Sequence, residues 1–248
     1  MNTVVHLNYK DDGIACVVME DREYRNTFSL RLIEGLRDAF DRIRNDRRAK
    51  VVVIHGYDNY FCCGGTKEEL IGILEGKVQF TDMNFHDLLL QCEVPVIAAM
   101  QGHALGGGFV LGCYADVVIL GEEPIYSANF MKYGFTPGFG ATYIIPRRFG
   151  EYLGGEMLFS ARSYHGGELR DRGAPVNVTK KEGVVPVAMQ LAKDMADKPR
   201  TALIELKQQL TAAIRQELPL AVEREVAMHK ITFALPEVRE RIDRLFGN

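Results

Sequence analysis

Apolar and polar positions alternate along TVVHLNYK (3–10) and IACVVMED (14–21), the period of strands with one face in a core. The DDG between them is a turn signal, so the first twenty residues predict a β-hairpin. The period changes at Ser29. Leu30, Ile33, Leu36, Phe40 and Ile43 recur at helical spacing, and Ser29 is placed to cap the helix they define. KVVVIHG (50–56) and VPVIAAMQG (94–102) are short β-branched or apolar runs without alternation, as expected of strands covered on both faces. KEELIGILEGK (67–77) predicts a helix ending near Gly76, and FTDMNFHDLLLQCE (80–93) another. GGGFVLGCYADVVIL (106–120) reads as a helix that gives way to a strand.

Strands and helices in that order predict a largely parallel sheet flanked by helices. The pattern is different after Gly140. LAKDMADKPRTALIELKQQL and all that follows is helical in period, with interruptions expected at Pro199, Pro219 and Pro236, since proline suits the first turn of a new helix. An α/β core over residues 1–197 and a helical lobe over 198–248 is the natural division. No repeat or low-complexity tract is evident.

Composition narrows the classes. The 248 residues are 47% hydrophobic and 25% charged, with a formal net charge of −3; this is an ordinary globular balance with no nucleic-acid footprint. No apolar run reaches the length of a membrane span. The five cysteines form no C-x-x-C pair, so reduced core thiols are expected rather than zinc ligands. MNTVVHLNYKDDG (1–13) lacks a basic stretch followed by an apolar one, so no export signal is expected and the cytoplasm is the expected compartment.

Two glycine-rich turns carry the candidate chemistry. CCGGT (62–66) and HALGGGFVLG (103–112) each follow a strand-like run. The second leads into a helix, whose first-turn N–H groups have no internal partner and sit at the positive end of the dipole. A second free N–H near Gly65, converging with these on one oxygen, would make an oxyanion hole; such donors are worth about 3–4 kcal/mol each. The turns also read as packing devices only. A phosphate site is disfavoured, because neither G-x-x-x-x-G-K-[ST] nor an early strand–GxGxxG–helix unit is present.

NYFCCGGT (59–66), VPVIAAMQGHALGGGFVLGCYADVVIL (94–120) and KYGFTPGFGATYIIPRRFG (132–150), with DREYRNTFS (21–29) before them, resemble the crotonase (enoyl-CoA hydratase/isomerase) superfamily over nearly the whole chain. The resemblance implies a spiral of ββα units, a C-terminal helical lobe that forms trimers, and acyl-thioester substrates. It also implies that the backbone N–H groups of Gly65 and Gly107 stabilise an enolate. Hydratases of the family use two glutamates, whose positions here hold Val110 and Phe130. Neither side chain transfers protons, so water addition is not expected, and a site without a carboxylate is. Loss of CO2 makes an enolate from a thioester with no carboxylate base.

CEVPVIAAMQGH (92–103), NFMKYGFTPG (129–138), YHGGELRDRGAPV (164–176) and AMHKITF (227–233) are similar to the β-branching decarboxylases of polyketide synthases. That resemblance implies a 3-methylglutaconyl group on the phosphopantetheine of an acyl carrier protein, with no metal or organic cofactor. It implies two working side chains, a lysine after the first glycine turn and a C-terminal histidine. His229 matches the histidine, to place the carboxylate or relay a proton; read from its apolar helix face alone it is more readily a structural histidine, and the resemblance reverses that. Lys77 is the choice for the lysine, to pair with the carboxylate, with Lys67 and Lys132 as rivals. His103 reads as packing or as support for the thioester site, and His86 and His165 as surface residues. Cys62 and Cys63 lack a histidine partner that would make a nucleophile. The basic runs DRRAK (46–50) and PRRFG (146–150) are solvated or touch the carrier. Two rivals stand beside the decarboxylase: an isomerase or hydrolase of acyl-CoA, and a scaffold that binds a carrier without turnover.

Overall fold

The computed structural model describes residues 3–10, 13–78 and 85–246. In order the elements are β1 (Val5–Lys10), β2 (Ile14–Met19), α1 (Leu30–Asn45), β3 (Val51–His55), β4 (Tyr60–Cys62), α2 (Lys67–Leu74), α3 (Leu88–Gln91), β5 (Val96–Met100), β6 (His103–Leu105), α4 (Gly107–Cys113), β7 (Val117–Gly121) and β8 (Ile125–Ser127). A 3-10 turn (Asn129–Tyr133) leads to α5 (Ala141–Phe149), α6 (Glu151–Ser160), β9 (Tyr164–His165), α7 (Gly166–Asp171), β10 (Asn177–Thr179), α8 (Val184–Ala196), α9 (Arg200–Thr232) and α10 (Pro236–Phe246).

The strands form two sheets. One has the order β1-β2-β3-β5-β7-β10 and the other β4-β6-β8-β9. The chain lays a strand in the first sheet, crosses to the second for a short strand, and returns through a helix; β3–β4–α2 and β5–β6–α4 are two such turns of a ββα spiral. β1 pairs antiparallel with β2, and β2, β3, β5, β7 and β10 run parallel. β3 and β5 are buried on both faces, which is why their sequences show no alternation. One face of the large sheet is covered by Val184, Ala188, Ala192 and Ala196 of α8, packed on Ile14, Val51, Val53, Ile97 and Ile119. The small side chains let the helix approach closely. The main core lies on the other face.

Ser29 caps α1 as expected, its Oγ accepting from the Leu32 N–H at 3.2 Å. Leu30, however, is 74% exposed and Leu32 takes its place in the core. The stripe starts two residues later because Leu30 is the first helical residue and projects from the open end. Pro199 and Pro236 flank helix starts as expected, but Pro219 interrupts nothing: α9 runs through it for 33 residues. Its neighbours Ile214, Leu218 and Glu225 are buried in one line, and that packing outweighs the lost hydrogen bond. Of the helix expected over 80–93, only Leu88–Gln91 is helical among the described residues; residues 80–84 lie outside them, as do Asp11 and Asp12 of the hairpin turn.

Candidate active site

The two glycine turns follow neighbouring strands. β4 pairs parallel with β6, Tyr60 opposite His103 and Cys62 opposite Ala104. Parallel neighbours end on the same side, so the residues after them leave the sheet side by side. At Gly64 the chain turns with φ +77°, and its carbonyl accepts from the Phe28 N–H at 2.8 Å. Gly106 (φ +50°) turns the second strand into α4. Both conformations are ones that L side chains avoid. The turns then touch: a Cβ added to Gly64 would stand 3.2 Å from the Gly107 nitrogen and 3.4 Å from that of Gly108. The Gly65 nitrogen is two covalent bonds from the Gly64 Cα, so the two candidate donors are neighbours. Neither the Gly65 nor the Gly107 N–H meets an acceptor among the described residues.

Gly65 and Gly107 both line a cavity of about 340 Å³. Its apolar wall is made by Phe28, Leu70, Phe130, Phe135 and Phe139. Phe28 stacks on Phe139 at 5.3 Å and meets Phe85 edge-on at 4.7 Å, which holds the wall rigid. Of the two positions where the family's hydratases carry acids, Phe130 lines the cavity and Val110 is buried in α4.

The expectation of a cavity without a carboxylate fails at Glu69, which lines it. Thr66 and Glu69 form a capping box at the start of α2: Glu69 Oε2 accepts from the Thr66 N–H at 2.8 Å, and the Glu69 N–H donates to Thr66 Oγ1 at 3.2 Å. Burial pushes the Glu69 carboxyl above its ordinary value, against the lowering by those bonds. The Thr-Lys-Glu-Glu spelling of 66–69 is itself the sequence signature of a capping box. It would have placed Glu69 one helical turn from Gly65.

His229 belongs to an adjoining cavity of about 300 Å³, walled by Ile73, Leu74, Val78, Val226 and Phe233. Its Nε2–H donates to the carbonyls of Thr136 (2.9 Å) and Pro137 (3.1 Å). Burial lowers its pKa, against those two bonds, so the ring is neutral at neutral pH. Phe233 of this cavity stacks on Phe135 of the first, centroids 4.4 Å apart. The two cavities therefore share an aromatic wall, with the glycine amides on one side and His229 on the other.

Lys77 lies between Gly76 and Val78, which line the second cavity, but does not itself line it. Its side chain is 72% exposed and pairs with Glu75 at 2.7 Å. Lys67 is tied to Asp243 of α10, and Lys132 is exposed on the 3-10 turn. None of the three lines the first cavity.

His103 accepts the Ile125 N–H on Nδ1 and packs edge-on to Tyr60; it braces β6 rather than reaching the cavity. His86 is not a surface residue: it sits among Phe139 and Tyr114, and burial lowers its pKa. His165 is exposed, as expected. Cys63 lines the first cavity, but burial pushes its thiol up to about 11, which keeps it protonated and unreactive. Cys62 Sγ donates to the Asn26 carbonyl in the core. In DRRAK, Arg48 pairs with Asp46 and Lys50 donates to the Ala196 carbonyl. In PRRFG, Arg148 donates to the carbonyls of Cys113 and Ala115 at the end of α4. These bonds hold Lys50 and Arg148 in the fold, while Arg48 stays exposed.

Comparison with known proteins gives a consistent answer. The family model described as enoyl-CoA hydratase/isomerase matches residues 9–245. Bacillaene synthase decarboxylase PksI of Bacillus subtilis (strain 168) is 49% identical over 247 residues, covering 100% of this chain and 99% of that protein. A solved structure from a dehydratase/decarboxylase enzyme couple involved in polyketide beta-branching superposes with a TM-score of 0.97 at 49% identity, over 99% of this chain and 100% of the other. The ECH2 decarboxylase domain of CurF from Lyngbya majuscula gives 0.95 at 41% identity, over 99% and 100%.

Proposed function

The chain belongs to the enoyl-CoA hydratase/isomerase family, and we propose that within it the protein is a decarboxylase of polyketide β-branching, acting on a 3-methylglutaconyl-type thioester carried by an acyl carrier protein. The observation that carries this reading is Phe130 in the cavity wall and Val110 buried in α4, beside two glycine turns whose Gly65 and Gly107 amides meet no acceptor among the described residues. The site has lost the paired acids of water addition and retained what an enolate needs.

The thioester oxygen lies between the N–H groups of Gly65 and Gly107. The bond from the γ carbon to the carboxylate breaks, and its electron pair passes through the double bond to that oxygen, giving a dienolate and CO2. The two amides act on charge that is largest as the bond breaks, so they lower the barrier more than they tighten binding. The phenyl groups of Phe28, Phe130 and Phe139 exclude water from the carbanionic chain.

Lys77 and His229 act from the adjoining cavity to receive the substrate's carboxylate. Lys77 leaves Glu75 for it, and an incoming carboxylate favours the imidazolium of His229, reversing the effect of burial. No metal or organic cofactor takes part; the phosphopantetheine arm is the carrier's. The protein works in the cytoplasm as a homotrimer. Tyr152 and Phe159 of α6 and Leu206 and Leu210 of α9 are exposed apolar residues suited to subunit contacts.

Mass spectrometry of carrier protein loaded with the 3-methylglutaconyl group tests the reading. The expected result is loss of CO2 on addition of the protein. Retention of the full acyl mass would reject decarboxylation and leave carrier binding as the function.

A further inference from the structure

Phe139, in the wall of the first cavity, has φ +69°. A bulky L residue avoids that region and persists there only where its surroundings over-determine it. Here they do. The peptide group joining Phe139 to Gly140 is held at both of its polar atoms. The Tyr114 O–H donates to the Phe139 carbonyl at 2.8 Å, and the Gly140 N–H donates to Glu225 Oε2 at 2.7 Å. Glu225 Oε1 accepts from the N–H and the hydroxyl of Thr142, at 2.8 and 2.6 Å. On the other side of Phe139, His229 holds the carbonyls of Thr136 and Pro137. Glu225 and His229 stand one turn apart on α9, so one helix grips the chain both before and after Phe139.

Glu225 and Tyr114 are both buried and line neither cavity. A buried carboxylate is costly unless it is fully hydrogen-bonded, and the bonds this one makes secure the backbone that follows Phe139. Gly140 gives that backbone no slack: it has φ +75°, and a Cβ there would collide with the Tyr114 hydroxyl. The ring so placed stacks on Phe28 at 5.3 Å and meets Phe85 edge-on at 5.2 Å. Phe28 in turn rests on the second glycine turn, where a Cβ added to Gly107 would lie 2.6 Å from its Cε2. Buried contacts therefore run from Glu225 through Phe139 and Phe28 to the proposed oxyanion donor.

The place of this wall bears on the acyl group. With the thioester oxygen at Gly65 and Gly107, C3 of the chain is two bonds from the thioester carbon, so its substituent falls in the first cavity, beside Phe28 and Phe139. Resting on the decarboxylase reading, we propose that Glu225 and Tyr114 are positioning residues that hold Phe139 left-handed against Phe28, and that the ring they hold limits the size of the substituent at C3. Freed of either bond, the peptide after Phe139 can turn and φ can relax to an ordinary value. The ring then leaves Phe28, and the cavity gains room where the methyl branch lies.

Substrate preference is the test. The full chain acts on carrier protein loaded with 3-methylglutaconyl or 3-propylglutaconyl, and CO2 release gives kcat/KM for each. Wild type should favour the methyl substrate by about 10-fold or more. Glutamine offers one acceptor oxygen, which Thr142 with its two donors claims, leaving the amide N–H2 against the Gly140 N–H. Glu225→Gln and Tyr114→Phe should therefore each lower the preference, losing on methyl and gaining on propyl. Phe139→Gly should abolish it, since glycine takes φ +69° without strain and leaves the space open. Added to F139G, E225Q should change the preference no further, because the ring it acts through is gone. If Glu225 merely supports the fold, E225Q lowers both substrates in one ratio; that result, or an equal shift with and without Phe139, overturns the assignment. Wild type that does not distinguish the two substrates overturns it as well. Should E225Q not fold, Y114F decides, and an unchanged preference overturns the assignment. Wild type that releases CO2 from neither substrate removes the decarboxylase reading itself and the assignment with it.

Discussion

A methyl group on Gly64 would stand 3.2 Å from the amide nitrogen of Gly107 and 2.6 Å from the Leu105 carbonyl oxygen. The two turns are packed backbone to backbone, with no space for a side chain between them. Gly64 also has φ +77°, so a substitution there is strained twice over. Gly64→Ala should push the turns apart and separate the Gly65 and Gly107 amides. We expect kcat to fall by about 100-fold or more, the loss of one oxyanion donor, and stability to drop by about 1–3 kcal/mol from overpacking. CO2 release and urea denaturation measure the two separately. Near-normal turnover in a destabilised G64A protein would show that these amides do not hold the reacting oxygen.

His229 has a structural duty that must be separated from its proposed chemical one. Its Nε2–H serves the carbonyls of Thr136 and Pro137. Removing the donor with His229→Ala leaves buried acceptors unpaired, at a cost of about 1–3 kcal/mol. His229→Gln retains an N–H and should recover much of that stability. If the imidazole receives the substrate's carboxylate, both variants lose turnover alike, whatever their melting temperatures. Activity in H229Q that returns along with its stability would assign the residue to structure alone.

Lys77 offers the opposite case, a residue with almost nothing structural to lose. Its ammonium is exposed and paired with Glu75 on the surface, a kind of contact that contributes little to stability. Lys77→Ala should leave the melting temperature unchanged. If Lys77 leaves Glu75 to pair with the substrate, K77A should raise KM for a thioester bearing a free carboxylate and spare binding of the methyl-ended product analogue. Equal effects on both ligands, or none, would remove Lys77 from the site.

Much of this arrangement is legible in the chain and some is not, for identifiable reasons. β3, β5 and the glycine turns after them are long enough to show their character in local pattern. β4 and β6, which bring the turns together, span Tyr60–Cys62 and His103–Leu105; segments of that length carry no period, and only family resemblance implied the second sheet. The absence of acids at positions 110 and 130 is plain in the sequence. Glu69 lies outside the positions where the family's hydratases carry acids, although its capping-box spelling is local and readable. His86 reads as a surface residue in a polar stretch (NFHD), and only tertiary packing puts it against Phe139 and Tyr114. Likewise Pro219 looks like a helix boundary until the buried line along α9 is seen.

Burial also predicts how the protein responds to acid. The pKa values of His55, His86, His103 and His229 are each lowered from 6.5, with desolvation as the largest cause. Below about pH 6.5 the unfolded chain takes up a proton at each of these positions before the folded protein does. The stability they contribute is therefore complete above about 6.5 and is lost as pH falls toward the lowered values. Glu69 and Glu225, raised by burial, work in the opposite direction, losing stability as pH rises from the ordinary carboxyl range. A single substitution separates the histidine contribution, because the glutamates are common to both proteins. His86 is the best choice, since its neighbours Phe139 and Tyr114 would accept a phenyl ring. His86→Phe should match or exceed wild type in stability, and its melting temperature should fall less between about pH 7.5 and 5.5. If the two proteins lose equal numbers of degrees over that interval, His86 is not among the groups through which acid destabilises the fold.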